Sequence, residues 1–525
     1  MTQETGRYYN FSNIRYGEPP VGSLRFAAPV AAKPDPTVQK GDVGRICPQA
    51  RPAWGLIVPQ VVQAILTGNL SALPEANASS TPSGDPSSLI PGPDPRETED
   101  CLFLDVIVPK EAFDQKNKHK RKAPVLVWIY GGGYVFGDKN GNGDPAGLIE
   151  RSRLGDKGPV IYVALNYRLG AYGWLGGPEI QANGAANAGL LDQRLALEWV
   201  RDHIEAFGGD RKRVTVFGQS AGGGSIMHQI TAYGGTKGRV PFQQAVPQSP
   251  GWTPQTIPAN LTAQLRQFLN AAKVKTIDEA RRLPAEALRL ANFITIGLAE
   301  YGDLVYGPSV DGTFVPDLPG KLLLQNKYDR DVTFMVGHNA NEGLLFTSPF
   351  IRDDTSFRAF IQNSFPRASP AVIDTIAVDF YPPTFDGSAG YTNQIQRTAL
   401  YLSEAVFTCN TVYLARASRN TSHNYLFSVP PALHGQDIPY TYFNNEANPA
   451  VLSADIAVAL QTYLTRFAAT GDPNGASSPA GLLPAFPRYG PDSKVLNLNI
   501  TGIDVVADPA ANERCVWWQN AFYEG

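Results

Sequence analysis

The chain has 525 residues, and its 45 basic and 48 acidic side chains give a formal net charge of −3. This near balance gives no electrostatic footprint for nucleic acid and no polybasic address for a membrane surface. No apolar stretch approaches the roughly 20 residues of a membrane-spanning helix, and four cysteines without a CxxC pair argue against zinc and dithiol redox sites.

A short amphipathic helix is predicted in the first hundred residues. Its apolar residues recur at helical spacing and are Leu56, Ile57, Val61, Val62, Ile65 and Leu66. Residues 69–98 then turn to Pro, Ser, Gly and Asp, which is typical of a long exposed loop. Helix and loop could form a mobile lid over a pocket or a permanent cover, and the length of the loop slightly favours the cover.

Five short, almost continuously apolar runs predict buried parallel strands. They cover residues 124–130, 159–165, 214–217, 332–336 and 424–429. An amphipathic helix is predicted over residues 189–207, with Asn187 and Gly208 as its caps. The alternation of strand and helix indicates right-handed crossovers and a doubly wound α/β sheet.

The chain shows no linker that would divide it into independent cores. We therefore expect a single domain over residues 1–525. Residues 261–296 have a largely helical pattern, which indicates a mainly helical insertion at about 255–330 that covers the sheet from outside.

Residues 218–222 read Gly-Gln-Ser-Ala-Gly and follow a β-rich run directly. This GxSxG pattern places a serine on a tight strand-to-helix turn, where glycines let backbone segments approach and the hydroxyl projects above the sheet. A helical pattern begins immediately behind the serine, with Ile226, Met227 and Ile230. The order of strand, turn and helix predicts a nucleophile elbow and serine-dependent acyl transfer.

A serine nucleophile needs an imidazole to accept its proton and a carboxylate to orient that imidazole. Catalytic groups gather at the carboxyl ends of parallel strands, and the chain order in this fold is serine, acid, histidine. Glu342 follows the strand of residues 332–336, and His434 follows the strand of residues 424–429. These positions predict a triad of Ser220, Glu342 and His434.

Other histidines and acids compete for these two roles. His423 precedes its strand and so lies at the wrong end of the sheet, and His338 comes ahead of the best acid. The other histidines fall on a basic loop or on helices beside the elbow, where surface or packing roles are expected: His119, His203 and His228. Asp311 and Asp437 are the alternative acids, but neither directly follows a convincing core strand.

Three consecutive glycines, residues 131–133, follow the first predicted core strand. Attack on an ester concentrates negative charge on the carbonyl oxygen, and fixed backbone donors must already face that oxygen. A phosphate-binding loop is the alternative reading, but the Lys-Ser or Lys-Thr pair of a Walker loop and the GxGxxG spacing are both absent. The glycines therefore predict an oxyanion hole.

Several segments resemble the type-B carboxylesterase family, which also contains cholinesterases and large fungal lipases. Besides the elbow, they are residues 16–26, 99–105, 128–134, 166–170, 207–210 and 467–474. The resemblance implies an α/β-hydrolase fold and places the acid and base of the family at Glu342 and His434. It assigns the oxyanion donors to the backbone amides of Gly132, Gly133 and Ala221.

The four cysteines allow three pairings, and spacing alone does not choose among them. The family resemblance implies that Cys47 pairs with Cys101 and that Cys409 pairs with Cys515. The first pair encloses residues 47–101, the region that carries the lid in the lipases of the family.

Three side chains near the elbow are candidates for the pocket or for support of the triad. Gln219 stands where most relatives carry glutamate, and loss of that anion weakens the attraction for cationic substrates such as choline esters. Ser249 lies in a segment that resembles a buried Gln-Ser segment of the family, although a hydroxyl bonded to nearby backbone is an equal alternative. Trp252 could line the pocket or belong to the core. Tyr130 replaces a histidine found in many relatives, which should not alter the backbone donors.

Six N-glycosylation sequons begin at Asn10, Asn69, Asn77, Asn260, Asn420 and Asn499. Together with an even cysteine count they favour a eukaryotic secretory route, although such triplets also arise by chance. The first residues lack the basic start and apolar core of a signal peptide, so we expect a processed or recombinant form.

These features together predict a secreted serine esterase that forms an acyl-enzyme on uncharged small-molecule or lipid esters. No metal, organic cofactor or nucleic-acid partner is expected, and the sequence does not indicate an oligomeric state. One alternative is an acyl transferase or lactone-forming enzyme of a fungal secondary-metabolite pathway. A second is a non-catalytic binding module, but family members of that kind have typically lost triad residues, and all three are present in this sequence.

Overall fold

A computed structural model describes residues 2–5, 7–37, 39–41, 43–73, 94–116, 122–155, 158–444, 447–475 and 483–524. The described strands are β1 (Thr2–Thr5), β2 (Tyr8–Arg15), β3 (Phe103–Pro109), β4 (Ala123–Ile129), β5 (Ile161–Leu165), β6 (Gly209–Gln219), β7 (Gln244–Gln248), β8 (Thr333–Asn339), β9 (His423–Phe427), β10 (Lys494–Asn499) and β11 (Gly502–Ala507). They form one eleven-stranded sheet in the order β1-β2-β3-β5-β4-β6-β7-β8-β9-β10-β11.

The centre of the sheet is parallel and its edges are antiparallel. All neighbours from β5 to β10 pair in parallel, whereas β1, β2, β3 and β11 pair antiparallel. Every residue of β3, β4, β5, β7 and β9 is buried. Strands that are buried on both faces need apolar residues at nearly every position, which explains their continuous hydrophobic runs.

The described α-helices cover both faces of the sheet. They are α1 (Val58–Leu66), α2 (Lys110–Asp114), α3 (Ala146–Ser152), α4 (Gly170–Trp174), α5 (Pro178–Asn183), α6 (Ala188–His203), α7 (Ala221–Thr231), α8 (Pro258–Ala271), α9 (Ile277–Arg281), α10 (Ala285–Gly297), α11 (Pro319–Leu324), α12 (Asp354–Ser364), α13 (Pro370–Asp374), α14 (Gln394–Leu402), α15 (Cys409–Ala417), α16 (Ile438–Thr441), α17 (Ala454–Thr470) and α18 (Glu513–Asn520). No described helix combines the length and the apolar character needed to cross a membrane.

The caps of α6 differ in part from the sequence prediction. Gly208 adopts a left-handed conformation with φ of 89°, as expected after a helix end. Asn187 does not cap the helix with its side chain, because its backbone is itself left-handed. Its amide donates instead to the Ser309 carbonyl at 2.8 Å and to the Asp311 carboxylate at 2.8 Å. A tertiary contact has therefore replaced the local cap.

Both disulfides are formed with the pairing that the family resemblance implied. Cys47 bonds to Cys101, and Cys409 bonds to Cys515. A large hydrophobic core runs from Tyr16 near the start of the chain to Tyr523 near its end. The division into one domain with a helical insertion stays a prediction, and α8, α9, α10 and α11 lie within the predicted insertion.

Helix α1 packs on a small hydrophobic cluster of its own. Val61 and Ala64 are buried there against Trp54 and Tyr301. Leu56 and Leu66 belong to the predicted apolar set but are exposed. Most of the Pro- and Ser-rich loop, residues 74–93, lies outside the described residues, so the choice between lid and cover stays a prediction.

Candidate active site

Ser220 lies between the end of β6 and the start of α7 in a strained backbone conformation, with φ of 59° and ψ of −122°. Its amide donates to the Gln248 carbonyl at 3.0 Å, and its carbonyl accepts from the Gly224 amide at 2.8 Å. A Cβ atom on Gly222 would lie 2.0 Å from the Ile129 carbonyl oxygen, so only glycine lets the turn approach β4 this closely. The residues of the GxSxG pattern thus form a strand-turn-helix elbow.

His434 and Glu342 meet at the carboxyl ends of β9 and β8. The parallel pairing of these strands continues beyond their ends as a bridge between Asn341 and Leu433, the residues immediately before the acid and the base. The register of the sheet therefore brings the two side chains together. His434 Nδ1 lies 2.5 Å from Glu342 Oε2.

The Glu342 carboxylate is fully buried and well supplied with donors. Its Oε1 accepts from the backbone amide of Asn339 at 2.6 Å, and the side chain of Ser249 is a further partner. Burial by itself would raise the pKa of Glu342, but the neighbouring His434 and these hydrogen bonds bring that pKa below its usual value. The acid is thus held ionised beside the imidazole.

A second buried carboxylate, Asp437, lies close to Glu342. It accepts from the Tyr425 hydroxyl at 2.7 Å and from the Gln248 amide at 3.2 Å. Burial raises the pKa of Asp437, and the charge of Glu342 adds to this effect, whereas the Tyr425 hydrogen bond opposes it. Asp437 therefore supports the surroundings of the acid and forms no described hydrogen bond with His434.

Ser249 is fully buried and joins the acid to this network. Its Oγ accepts from the side-chain amide of Asn339 at 3.2 Å, and Ser249 also helps to lower the pKa of Glu342. The side chain thus has partners in the site, while its own backbone amide donates to the Gly337 carbonyl at 2.7 Å.

The glycine loop, residues 131–133, lies against the elbow. A Cβ atom on Gly131 would lie 2.9 Å from the Ser220 Cβ. Gly132 and Gly133 have positive φ values of 101° and 59°, and a Cβ atom on Gly133 would lie 2.3 Å from a methyl group of Leu304. Larger residues would therefore disturb both the loop and its neighbours.

Gln219 contacts the second ring nitrogen of the histidine. Its Nε2 lies 3.1 Å from His434 Nε2. When Nδ1 carries a proton toward Glu342, Nε2 has a free lone pair that accepts from this amide. The side chain of Gln219 thus occupies the hydrogen-bonding position at His434 Nε2.

Apolar side chains surround the imidazole. The ring centroid of Phe407 lies 4.3 Å from that of His434, and the ring centroid of Phe346 lies 5.3 Å from that of His434. Phe346 also packs edge-to-face on Trp54, with ring centroids 6.4 Å apart, which connects the site to the cluster under α1. Among the described residues, no group of three or more His, Cys, Asp or Glu side chains is arranged to hold a metal ion.

A family model described as "Carboxylesterase family" matches residues 1–518 of the chain. The chain belongs to the carboxylesterase family. It is 40% identical to the carboxylesterase patB of Penicillium expansum, with 98% of this chain and 92% of the relative covered. It is 32% identical to a secreted lipase of Arthroderma benhamiae, with 80% and 82% covered.

The carboxylesterase also resembles solved structures. The crystal structure of Aspergillus niger EstA has a TM-score of 0.80 with 24% identity and covers 99% of this chain and 96% of its own. This similarity confirms the predicted α/β-hydrolase fold, and the family match confirms the predicted class of enzyme, a carboxylic ester hydrolase.

The other predicted residues of this carboxylesterase have different surroundings. Trp252 is buried against His228 of α7, with 5.3 Å between ring centroids. Burial lowers the pKa of His228 to about 3, so its ring is neutral. His338 is buried 3.8 Å from Asp508. None of these residues has a described contact with His434.

The remaining alternatives have no described contact with Ser220 or His434. His423 begins β9, and its ring contacts the Pro487 carbonyl. His203 is exposed at the end of α6. Asp311 bonds to Asn187. His119 lies outside the described residues.

Several side chains of the site belong to no sequence motif, and the sequence did not predict them as site residues. Asn339 could have been found from the sequence, because it ends β8 only three residues before Glu342. Leu304, Phe346 and Phe407 come from separate segments, and no spacing rule connects them with His434.

Proposed function

We propose that this carboxylesterase forms an acyl-enzyme on Ser220. His434 Nε2 accepts the hydroxyl proton as Oγ attacks the ester carbon, and then gives that proton to the departing alcohol as the C–O bond breaks. Water attacks the acyl-enzyme with the same imidazole as base and releases the acid and the free serine. Glu342 stays ionised and holds the ring in the tautomer with the proton on Nδ1. The contact of 2.5 Å between His434 Nδ1 and Glu342 Oε2 carries this proposal.

The negative charge on the substrate oxygen is stabilised by backbone amides. We assign them to Gly132, Gly133 and Ala221, in the glycine loop and at the first position of α7. The close approach of the loop to Ser220 supports this assignment. Fixed backbone donors of this kind lower the barrier because they need no reorganisation as charge develops.

Uncharged esters fit this site best. The side chains around the imidazole are the neutral Gln219 and the apolar Phe346 and Phe407, and Glu342 is buried and paired. We expect a neutral 3,3-dimethylbutyl ester to react faster than the cationic choline ester of the same acid. A faster choline ester would contradict this substrate class.

A fluorophosphonate probe tests the nucleophile. We expect stoichiometric labelling of the protein and complete loss of labelling in Ser220→Ala. Ser225→Ala, which changes a buried serine on the helix that follows Ser220, is the matched control and should label normally. Labelling that persists in Ser220→Ala would refute the assignment.

Reaction in ¹⁸O-labelled water tests hydrolysis. We expect one solvent oxygen in the released acid, because water must attack the acyl-enzyme. An acid without solvent oxygen, together with a new ester or lactone, would favour the acyl-transfer alternative.

We also propose that the protein follows a secretory route. Its two disulfides and its similarity to a secreted lipase support this proposal. Asn69 and Asn260 are exposed and are the best acceptors of glycan, whereas Asn10 and Asn420 have buried side-chain oxygens. Asn499 is half-buried, and Asn77 lies outside the described residues. Secretion from a fungal host should give a mass loss on glycosidase treatment, and unmodified Asn69 and Asn260 would contradict this assignment.

A further inference from the structure

Two buried tyrosines lie face to face beside the glycine loop. Tyr130 directly follows β4, and Tyr167 follows β5 by two residues. Because β4 and β5 are parallel neighbours, both tyrosines lie at the same edge of the sheet. Their rings are stacked, with centroids 4.4 Å apart and planes 18° apart.

The two tyrosines are also joined by reciprocal hydrogen bonds. The Tyr167 hydroxyl donates to the Tyr130 carbonyl at 2.9 Å, and the Tyr130 hydroxyl donates to the Tyr167 carbonyl at 3.1 Å. Burial raises the pKa of both phenols well above the ordinary value, so both hydroxyls keep their protons. Each ring therefore fixes the backbone of the other residue.

One of these carbonyls leads directly into the glycine loop. The Tyr130 carbonyl and the Gly131 amide belong to one planar peptide unit, so a bond that holds the carbonyl also sets the direction in which the loop begins. The loop lacks side chains of its own that could anchor it. The Gly132 carbonyl accepts from the Val135 and Phe136 amides, each at 3.1 Å. The orientation of the loop thus depends on these backbone bonds and on the groups that hold its ends.

The other end of the loop is held in a similar way. Tyr134 follows Gly133, and its hydroxyl donates to the Gly251 carbonyl at 3.0 Å. Its own carbonyl accepts from the Gly170 amide at 2.8 Å. Trp174 packs between the two ends, 4.5 Å from Tyr134 and 6.2 Å from Tyr167.

We propose that the Tyr167 hydroxyl is a positioning group for the oxyanion hole, acting through the Tyr130 carbonyl on the amides of Gly132 and Gly133. The inference rests on the proposed function of those amides. The two reciprocal bonds are chemically alike but differ in what they hold. Tyr167 holds the peptide that enters the loop, whereas Tyr130 holds a peptide at the end of β5.

This difference supplies a matched pair of variants, Tyr167→Phe and Tyr130→Phe. Each removes one hydroxyl and keeps the stacked ring. Tyr167→Phe loses one hydrogen bond, whereas Tyr130→Phe loses two, because the Tyr130 hydroxyl also accepts from the Tyr167 backbone amide at 3.4 Å. Tyr130→Phe should therefore lower the melting temperature at least as much as Tyr167→Phe. We expect Tyr167→Phe to lower kcat at least about tenfold with little change in KM, since a misplaced donor costs part of the 10²- to 10³-fold effect of a lost one. Tyr130→Phe should lower kcat about threefold or less.

Tyr463→Phe is the control for a lost tyrosine-to-carbonyl bond elsewhere. Its hydroxyl donates to the Pro484 carbonyl at 2.7 Å, and Tyr463 lies in α17. We expect kcat to be unchanged in this variant.

A second substitution keeps the test independent of folding losses. Incorporation of 4-aminophenylalanine at position 167 retains a donor for the Tyr130 carbonyl and should restore most of kcat. Binding of a trifluoromethyl ketone, whose adduct places an oxyanion in the hole, should weaken about tenfold in Tyr167→Phe and recover with the amino residue.

Equal kcat losses in Tyr167→Phe and Tyr130→Phe, or a change in KM alone, would overturn the inference. So would a failure of 4-aminophenylalanine to differ from phenylalanine at position 167. Failure of the proposed function would show differently, because Ser220→Ala would then retain activity or labelling.

Discussion

His434 has a different partner at each ring nitrogen. Glu342 lies 2.5 Å from Nδ1, and Gln219 lies 3.1 Å from Nε2. In the proposed mechanism the acid orients the ring, while the neutral amide contacts the nitrogen that accepts the serine proton. Gln219 therefore contacts the proposed base directly.

Gln219→Glu should move the acid limb of the pH–rate profile to higher pH. A carboxylate beside Nε2 would stabilise the protonated ring, so the free base would become available only at higher pH, with a shift of about one pH unit. Profiles of kcat/KM against pH measure this shift. Gln219→Met removes the amide without adding charge and is the control. A shift of equal size in both variants would show that charge is not the cause.

Glu342→Gln should lower kcat by about 10⁴, because a neutral amide does not hold the imidazole in the required tautomer. The reactivity of Ser220, measured as the rate of fluorophosphonate labelling, should fall in parallel. A kcat within tenfold of the parent value would contradict the role assigned to this acid.

The same substitution should change how stability depends on pH. The pKa of Glu342 is lowered in the folded protein, so its carboxylate contributes stability fully above about pH 4.5 and loses it as pH falls through the folded pKa. The difference in unfolding free energy between the parent protein and Glu342→Gln should therefore be largest near pH 7 and shrink in acid. Urea denaturation at pH 7 and in acid measures this difference in unfolding free energy. A difference that grows in acid would refute the predicted direction.

Among the structural elements, the turn of residues 303–306 determines how much space lies beside the glycine loop. Val305 has φ of 66°, which is strained for a β-branched residue. The Asp303 carboxylate accepts from the Val305 amide at 2.9 Å, and the Asp303 carbonyl accepts from Trp54 at 2.8 Å. The turn is thus held in place, and it directs Leu304 onto Gly133.

Leu304→Ala should broaden the range of esters that react. Removal of the side chain opens space next to Gly133, so the kcat/KM ratio of a branched or long acyl ester to an acetyl ester should rise about tenfold. Leu298→Ala changes an exposed leucine at the end of α10 and is the control. An unchanged ratio in Leu304→Ala would show that another element limits the acyl group.

The elements also differ in how well their sequences predict them. The five predicted strands all lie in the parallel centre, where burial on both faces makes them uniformly apolar. Strand β7 was missed because glutamines stand at both its ends and a proline lies within it. Those glutamine side chains have tertiary partners, and Gln248 Nε2 donates to the Tyr425 hydroxyl at 2.9 Å.

At the scale of the whole molecule, the sheet brings together parts of the site that are far apart in the chain. The proposed nucleophile follows β6, the glycine loop follows β4, and the proposed acid and base follow β8 and β9. The second disulfide joins α15 to the C-terminal helix α18 across 106 residues of sequence. This bridge closes the part of the chain that contains His434.

Removal of the second disulfide should destabilise the fold without removing the site. The double variant Cys409→Ala/Cys515→Ala should lose about 2–5 kcal/mol of unfolding free energy, because the unfolded chain regains the freedom of a long loop. Denaturant titration measures this loss, and kcat at low temperature should stay within about threefold. Cys47→Ala/Cys101→Ala, which opens a shorter separation of 54 residues, should cost less. A larger loss in this second variant would contradict the chain-entropy argument.

The sequence by itself determined the elbow, the class of fold and the identities proposed for the nucleophile, acid and base. These features depend on local order, since a strand end, a glycine turn and a helix start are neighbours in the chain. Only the tertiary structure decided the contact of Gln219 with His434, the position of Leu304 on Gly133 and the hydrogen bonds between Tyr130 and Tyr167. These contacts join side chains from separate elements, and their distances depend on sheet register and packing, which no local pattern of residues encodes.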